Sequence, residues 1–408
     1  MNKLALFGGT PVRTKPFPSW PRSSKEMKDQ LINTIENESW GVGSQVTNKF
    51  HAAFAAFHDA KFCITTNSGT TALWVALKAA GVKAGDEVIL PAYTFIATAS
   101  AVLMANAVPV FVDAELETFN MDADQIAAAI TERTKVIMPV HIGGNPADMD
   151  KILAVARLHD LKVIEDAAQA HGAEWDGKKV GALGLGGIFS FQTSKNMTAG
   201  EGGAIISNDE QFNNDCFSYH NCGRVVGGEW YEHQHLGGNF RLSAFATAML
   251  SAQLKTIDSD MNTRDQNRAL IDQALNEIPG LTPVKLYPQV TRVANHLYLA
   301  RYDKAAFGGI AREKFYEAMR AEGVFTYAGY VPLYKEKLFI TNPDEYPWLK
   351  DRKYREMYMP NTEKLCNEQS IWLKQNYLLG SVADTQDVID AFVKVTTAMH
   401  QNPALFKK

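Results

Sequence analysis

The chain has 408 residues, too many for one ordinary compact domain, and length alone predicts two to three units of about 150 residues each. A composition of 46% hydrophobic, 10% aromatic and 21% charged residues implies a sizeable core and excludes a disordered, collagen-like or disulfide-built protein. Forty-one Lys and Arg against 45 Asp and Glu leave a formal charge of −4, with no basic footprint for nucleic acid or an anionic membrane.

Cys63, Cys216, Cys222 and Cys366 contain no C-x-x-C pair and no zinc-type spacing. The apolar run at residues 4–7 is too short for a signal-peptide core, and glycines interrupt it. No stretch approaches the roughly 18 uninterrupted apolar residues of a membrane helix. A soluble cytoplasmic protein is the expectation.

From about residue 45 to 210, short β-branched runs alternate with Ala-rich helical stretches. The pattern predicts a strand over 62–66, a helix over 70–80, a strand over 87–90 and a helix over 94–105. Strands follow at 109–112 and 136–140, then a helix at 149–159 and strands at 162–165, 187–191 and 203–207. Such alternation indicates a mostly parallel sheet with helices on both faces, and the near-continuous apolar runs suit strands buried on both sides. Residues 241–276 read as one long helical region whose charged face carries Lys255, Asp258, Asp260, Arg264, Asp265 and Arg268. A strand at 296–302 and helices at 311–322 and 385–400 follow, while 334–360 reads as an irregular surface excursion. There is no internal repeat. The expected organisation is a large α/β domain over 1–255 and a smaller α+β domain over 256–408.

Three segments bear on chemistry. In Thr65-Thr66-Asn67-Ser68-Gly69-Thr70-Thr71 a strand runs through hydroxyls and a glycine into a helix. Free amides and the positive helix end converge there, as in a phosphate cradle, although a helix cap with a turn glycine is the same pattern. The segment lacks the G-K-[ST] ending of a nucleotide-hydrolysing loop. In Val163-Ile164-Glu165-Asp166-Ala167-Ala168-Gln169-Ala170-His171 a strand ends in two carboxylates. Asp166 falls where doubly wound sheets bind ligands, with a turn-capping role as the alternative. Glu165 is expected to point to the opposite side, and His171 to be a hydrogen-bonded structural histidine. In Phe189-Ser190-Phe191-Gln192-Thr193-Ser194-Lys195 one lysine stands among small polar residues, either as an amine nucleophile or as an exposed turn lysine.

Together, a phosphate cradle, a strand-end carboxylate and a Schiff-base lysine match the needs of pyridoxal 5′-phosphate. The motifs Asn67-Ser68-Gly69-Thr70-Thr71-Ala72-Leu73, Pro91-Ala92-Tyr93-Thr94-Phe95, Glu165-Asp166-Ala167-Ala168-Gln169, Lys195…Thr198-Ala199-Gly200-Glu201-Gly202-Gly203 and Gly237-Gly238-Asn239-Phe240-Arg241 occur in order. On these the chain resembles the DegT/DnrJ/StrS family of pyridoxal-phosphate aminotransferases, from about residue 10 to 400.

The resemblance implies the aspartate-aminotransferase-like (type I) fold: a large domain with a mostly parallel sheet and a smaller α+β C-terminal domain. It implies Gly69, Thr70 and Ser190 at the cofactor phosphate, Phe95 on the pyridine ring and Asp166 at the ring nitrogen. Gln169 would stand near the ring hydroxyl and Lys195 would be the catalytic lysine. Asn239 would reach the phosphate of the neighbouring subunit, making the active site a homodimer property. No metal is implied.

Some relatives that remove a hydroxyl from a nucleotide sugar carry His where this chain has Lys195, so the resemblance favours amino transfer by a ping-pong mechanism, with glutamate or glutamine as donor. The acceptor is a nucleotide-linked keto sugar, a keto-cyclitol such as scyllo-inosose, or the precursor of 3-amino-5-hydroxybenzoate. Phe307-Gly308-Gly309 and Tyr330-Val331-Pro332-Leu333-Tyr334 look like the cyclitol and aminohydroxybenzoate branches. Tyr327, Tyr330 and Tyr334 suit either a polyol ring or interface core. His220, His233 and His235 match no metal motif and are expected at the surface. A dehydratase or aromatising enzyme on the same cofactor, and a non-catalytic regulatory protein that binds it, are the alternatives.

Overall fold

The computed structural model describes residues 3–339 and 344–406. Seven strands form the central sheet in the order Phe62–Thr66, Gly203–Ser207, Gly186–Ser190, Lys162–Asp166, Thr134–Ile137, Glu87–Pro91, Val108–Val112. All run parallel except Gly203–Ser207, which is antiparallel to both neighbours. Alternate residues feed two cores. Ile64, Val88, Leu90, Ile164, Ile188 and Ile205 pack beneath the helix Gly69–Ala79, while Cys63, Ile89, Val163, Phe189 and Ile206 face the helices Gln45–Phe57 and Met149–Leu158. Both faces of the strands are therefore buried, as their apolar composition requires.

A second, antiparallel sheet pairs Leu281–Pro283, Leu297–Tyr302 and Ser370–Lys374. It packs with the helices Ile257–Asn276, Arg312–Ala321 and Val382–Gln401 around its own core. Leu4 joins this core, and the Glu322 carboxylate accepts the amides of Ala5 and Val12 at 2.8 and 3.0 Å. No described helix is long and apolar enough to cross a membrane.

One expectation is corrected and two are refined. The region 241–276 is two helices, Ala244–Leu254 and Ile257–Asn276; the Thr256 amide and hydroxyl both bond the Gln253 carbonyl, at 3.0 and 3.2 Å, and so interrupt the ladder. On its charged face Arg264 and Arg268 are buried, Arg264 against Gln375, which follows the strand Ser370–Lys374, and Arg268 against Asn295, which precedes Leu297–Tyr302. Residues 334–360, apart from 340–343 outside the described set, are irregular and largely exposed, as expected, but the segment is anchored to the core. Tyr334, Phe339 and Tyr354 are buried, each packing edge-on against Phe111. Aromatic area, not regular structure, holds that segment down.

Candidate active site

The parallel strands end on one side of the sheet, and there a cavity of about 890 Å³ opens, with Leu297, Trp372 and Lys374 of the second sheet on its wall. Gly69, Thr70, Phe95, Asp166, Gln169, Ser190 and Lys195 all line it.

The helix Gly69–Ala79 begins here. Ser68 caps it, its Oγ accepting the Thr71 amide at 3.1 Å, so cap and cradle are two functions of one segment. The amides of Gly69 and Thr70, in the first turn, have no intrahelical acceptor. Ser190 ends its strand beside them. A Cβ added to Gly69 would lie 2.8 Å from Ser190 Cβ and 3.1 Å from Ser190 Oγ. Glycine is thus what lets the strand-end hydroxyl stand against the helix start. Gly69→Ala is expected to displace Ser190 and weaken pyridoxal phosphate binding about tenfold, an overpacking cost of the ordinary size, read by titrating the apoenzyme with cofactor.

Asp166 closes the strand Lys162–Asp166 and is buried. Its Oδ2 accepts the Thr98 hydroxyl at 2.9 Å, its Oδ1 the Ala168 amide at 3.2 Å, and Thr94 Oγ1 lies 3.1 Å from Thr98 Oγ1. Burial pushes the carboxyl pKa up, against the opposing pull of Thr98, Ala168 and the Lys195 charge. Both oxygens meet neutral donors only; no cation pairs with them among the described residues. Glu165 points the other way, as expected: it is fully buried and accepts the amides of Gly181, Leu183 and Gly184 at 2.7, 2.7 and 2.9 Å. Thr98→Val removes the hydroxyl that stabilises the Asp166 charge. The acid limb of the kcat/KM profile should then move to higher pH, with turnover at neutral pH down about tenfold.

Lys195 follows the strand Gly186–Ser190, in a turn closed by its amide on the Gln192 carbonyl at 2.9 Å. Burial lowers the Lys195 pKa to about 8, with Asp166 pulling the opposite way. Its ammonium has no hydrogen bond or ion pair among the described residues. Loading of the apoenzyme with cofactor requires the neutral amine, so its rate is expected to rise with pH through about 8 and level off above, measured by the growth of the visible band.

Gln169 spends both ends of its amide. Oε1 accepts the Gly143 amide at 2.7 Å and Nε2 donates to the Tyr330 hydroxyl at 2.7 Å. Tyr330 packs edge-on against Trp372 at 4.6 Å, and its own hydroxyl proton is free to donate into the cavity. Phe95 is 56% exposed at the cavity, which removes it from the core. Asn239 lies outside the cavity, exposed and bridged to Asn221.

Other candidates change place. Tyr327 and Tyr330 line the cavity, but Tyr334 is buried elsewhere and donates to Glu363 at 2.9 Å. His220 is not at the surface; it is buried, with Nδ1 2.7 Å from the Phe217 carbonyl. His171 is buried against Phe189 and Phe191, the place of a structural histidine. Thr98, His296, Trp372 and Gln375 are cavity residues that sequence reasoning missed. Only Thr98 left a signal, its spacing of four from Thr94 on one helix.

A cradle of amides and a hydroxyl, a buried carboxylate without a cation and a buried amine without an acid fit pyridoxal phosphate group by group. On this α/β fold they define a pyridoxal-phosphate-dependent aminotransferase. The chain belongs to the DegT/DnrJ/EryC1/StrS aminotransferase family, whose model matches residues 21–392. It is 39% identical to a putative L-glutamine:3-amino-2,3-dideoxy-scyllo-inosose aminotransferase of Streptoalloteichus tenebrarius, over 97% of this chain and 98% of the relative. Identity to an L-glutamine:2-deoxy-scyllo-inosose aminotransferase of Micromonospora echinospora is 35%, with the same coverage. Among solved structures, a 3-amino-5-hydroxybenzoic acid synthase is similar with a TM-score of 0.82 at 32% identity, covering 94% of this chain and 100% of that one.

Proposed function

We propose that this enzyme moves an amino group from L-glutamine or L-glutamate to a keto-cyclitol or keto sugar in a ping-pong cycle, with Lys195 as the catalytic amine. The observation that carries the reading is Lys195 itself, a buried amine without an acid partner and with its pKa lowered to about 8. The names of the two inosose aminotransferases favour glutamine as donor and a cyclitol as acceptor.

When bound, pyridoxal phosphate supplies an aldehyde for amine exchange and a ring that takes up the electron pair left as Cα loses its proton. The amides of Gly69 and Thr70, with the Ser190 hydroxyl, hold the phosphate. Asp166, oriented by Thr98 and Ala168, keeps a proton on the ring nitrogen. Gln169, fixed between Gly143 and Tyr330, stands beside the ring hydroxyl, and Phe95 covers one ring face and excludes water from it. Lys195 takes the proton from the donor Cα and returns it on the far side of the exchange. The exposed position of Asn239 supports its service to a second copy, hence a homodimer with shared sites. The separate core of residues beyond 270 supports a division of the chain after residue 255, with the segment that carries Leu4 packed on the second unit. A cytoplasmic location is part of the same reading.

The test has two stages. L-glutamine alone should convert the loaded enzyme to the pyridoxamine form and release its keto acid. Keto-inositols and nucleotide-linked keto sugars are then offered as acceptors, and a keto-inositol is expected to restore the visible band. An unchanged spectrum with both donors would leave a cofactor-binding protein without transaminase activity. A product lacking a hydroxyl would mark the dehydrating alternative.

A further inference from the structure

The donor half-reaction needs a positive group that the residues above do not provide. Glutamine carries one anionic group, its α-carboxylate, attached to the carbon that loses its proton. Holding that carboxylate orients the reacting bond. Two lysines and His296 are the basic side chains on the cavity wall, and no arginine is among the described lining residues. Lys195 is committed to the chemistry, and burial keeps His296 neutral.

Lys374 remains. The strand Ser370–Lys374 buries Ile371 and Leu373 in the core of the second sheet, so Trp372 and Lys374 turn to the opposite face, where both line the cavity. Lys374 Nζ lies 4.8 Å over the Tyr327 ring and has no acid partner among the described residues. Gln375 comes next and lines the same cavity. Its Oε1 accepts Arg264 Nε at 3.2 Å and Nη2 at 2.6 Å, so Nε2 is the end left to donate. Arg264 is fully buried and forms no ion pair among the described residues, a fixed cation that orients this amide.

We propose that Lys374 Nζ and Gln375 Nε2 form the subsite for the α-carboxylate of the amino donor. Tyr327 holds the lysine at the wall, and Arg264 is a positioning residue acting through Gln375. The assignment rests on the donor reading above and names the group of the donor that this chain recognises.

Lys374 is exposed, so its substitution leaves the core untouched. In the loaded enzyme, Lys374→Met is expected to raise KM for L-glutamine in the pyridoxamine-forming half-reaction about tenfold or more, with the saturating rate little changed. Lys374→Arg should recover most of the loss. The discriminating substrate is 4-aminobutanamide, which is glutamine without its carboxylate: it should react poorly with the wild type and no worse with Lys374→Met. A KM for glutamine within about twofold of wild type in Lys374→Met would overturn the proposal, as would an equal loss with both substrates. A wild type inert towards glutamine and glutamate alike would instead overturn the proposed function, and this subsite with it.

Discussion

Lys195→Ala is expected to bind pyridoxal phosphate without the visible band of the loaded enzyme and to lose transamination by about a thousandfold or more, since nucleophile and general base disappear together. The side chain lines the cavity and makes no hydrogen bond through its amine, so its removal should leave the fold intact. Absorbance of the purified variant, circular dichroism and a glutamine-dependent half-reaction check the three parts of the expectation. An intact fold with a silent spectrum separates a lost amine from a lost structure. Turnover within about tenfold of wild type would remove Lys195 from the chemistry.

Asp166→Asn is the second large effect. The residue is buried, accepts from Thr98 and Ala168, and forms no ion pair among the described residues. Asparagine keeps the shape and one acceptor but carries no charge, so the proton on the ring nitrogen loses its partner. A buried charge-assisted contact of this kind is worth about 3 kcal/mol, or roughly a hundredfold in rate. The expected signature is a fall in kcat with cofactor still bound through the Gly69–Ser190 cradle. A variant that instead lost the cofactor and kept its rate when saturated would assign Asp166 to binding alone.

The strands were the most legible part of the fold. Residues 62–66 and 203–207 form strands with the predicted bounds, because a strand buried on both faces shows itself as a short run free of charged residues. The amphipathic helices Lys25–Glu36 and Glu210–His220 gave no such signal, since few of their side chains are buried and polar residues dominate both. Site residues at strand ends and helix starts were readable because their chemistry depends on local backbone. Tyr330 meets Gln169 across 161 residues, and Gln375 meets Arg264 across 111, so those contacts exist only once the two sheets pack. Arg264 read only as part of a charged face for the same reason: helical periodicity places a residue on a face but not what covers that face.

The chemistry turns on one amine. Borohydride reduction of the loaded enzyme, followed by proteolysis and mass spectrometry of the cofactor-bearing peptide, identifies the amine directly and does not depend on knowing the acceptor. The predicted result is one cofactor per chain, attached at Lys195. Attachment at another lysine, or no attachment with the cofactor demonstrably bound, would contradict it.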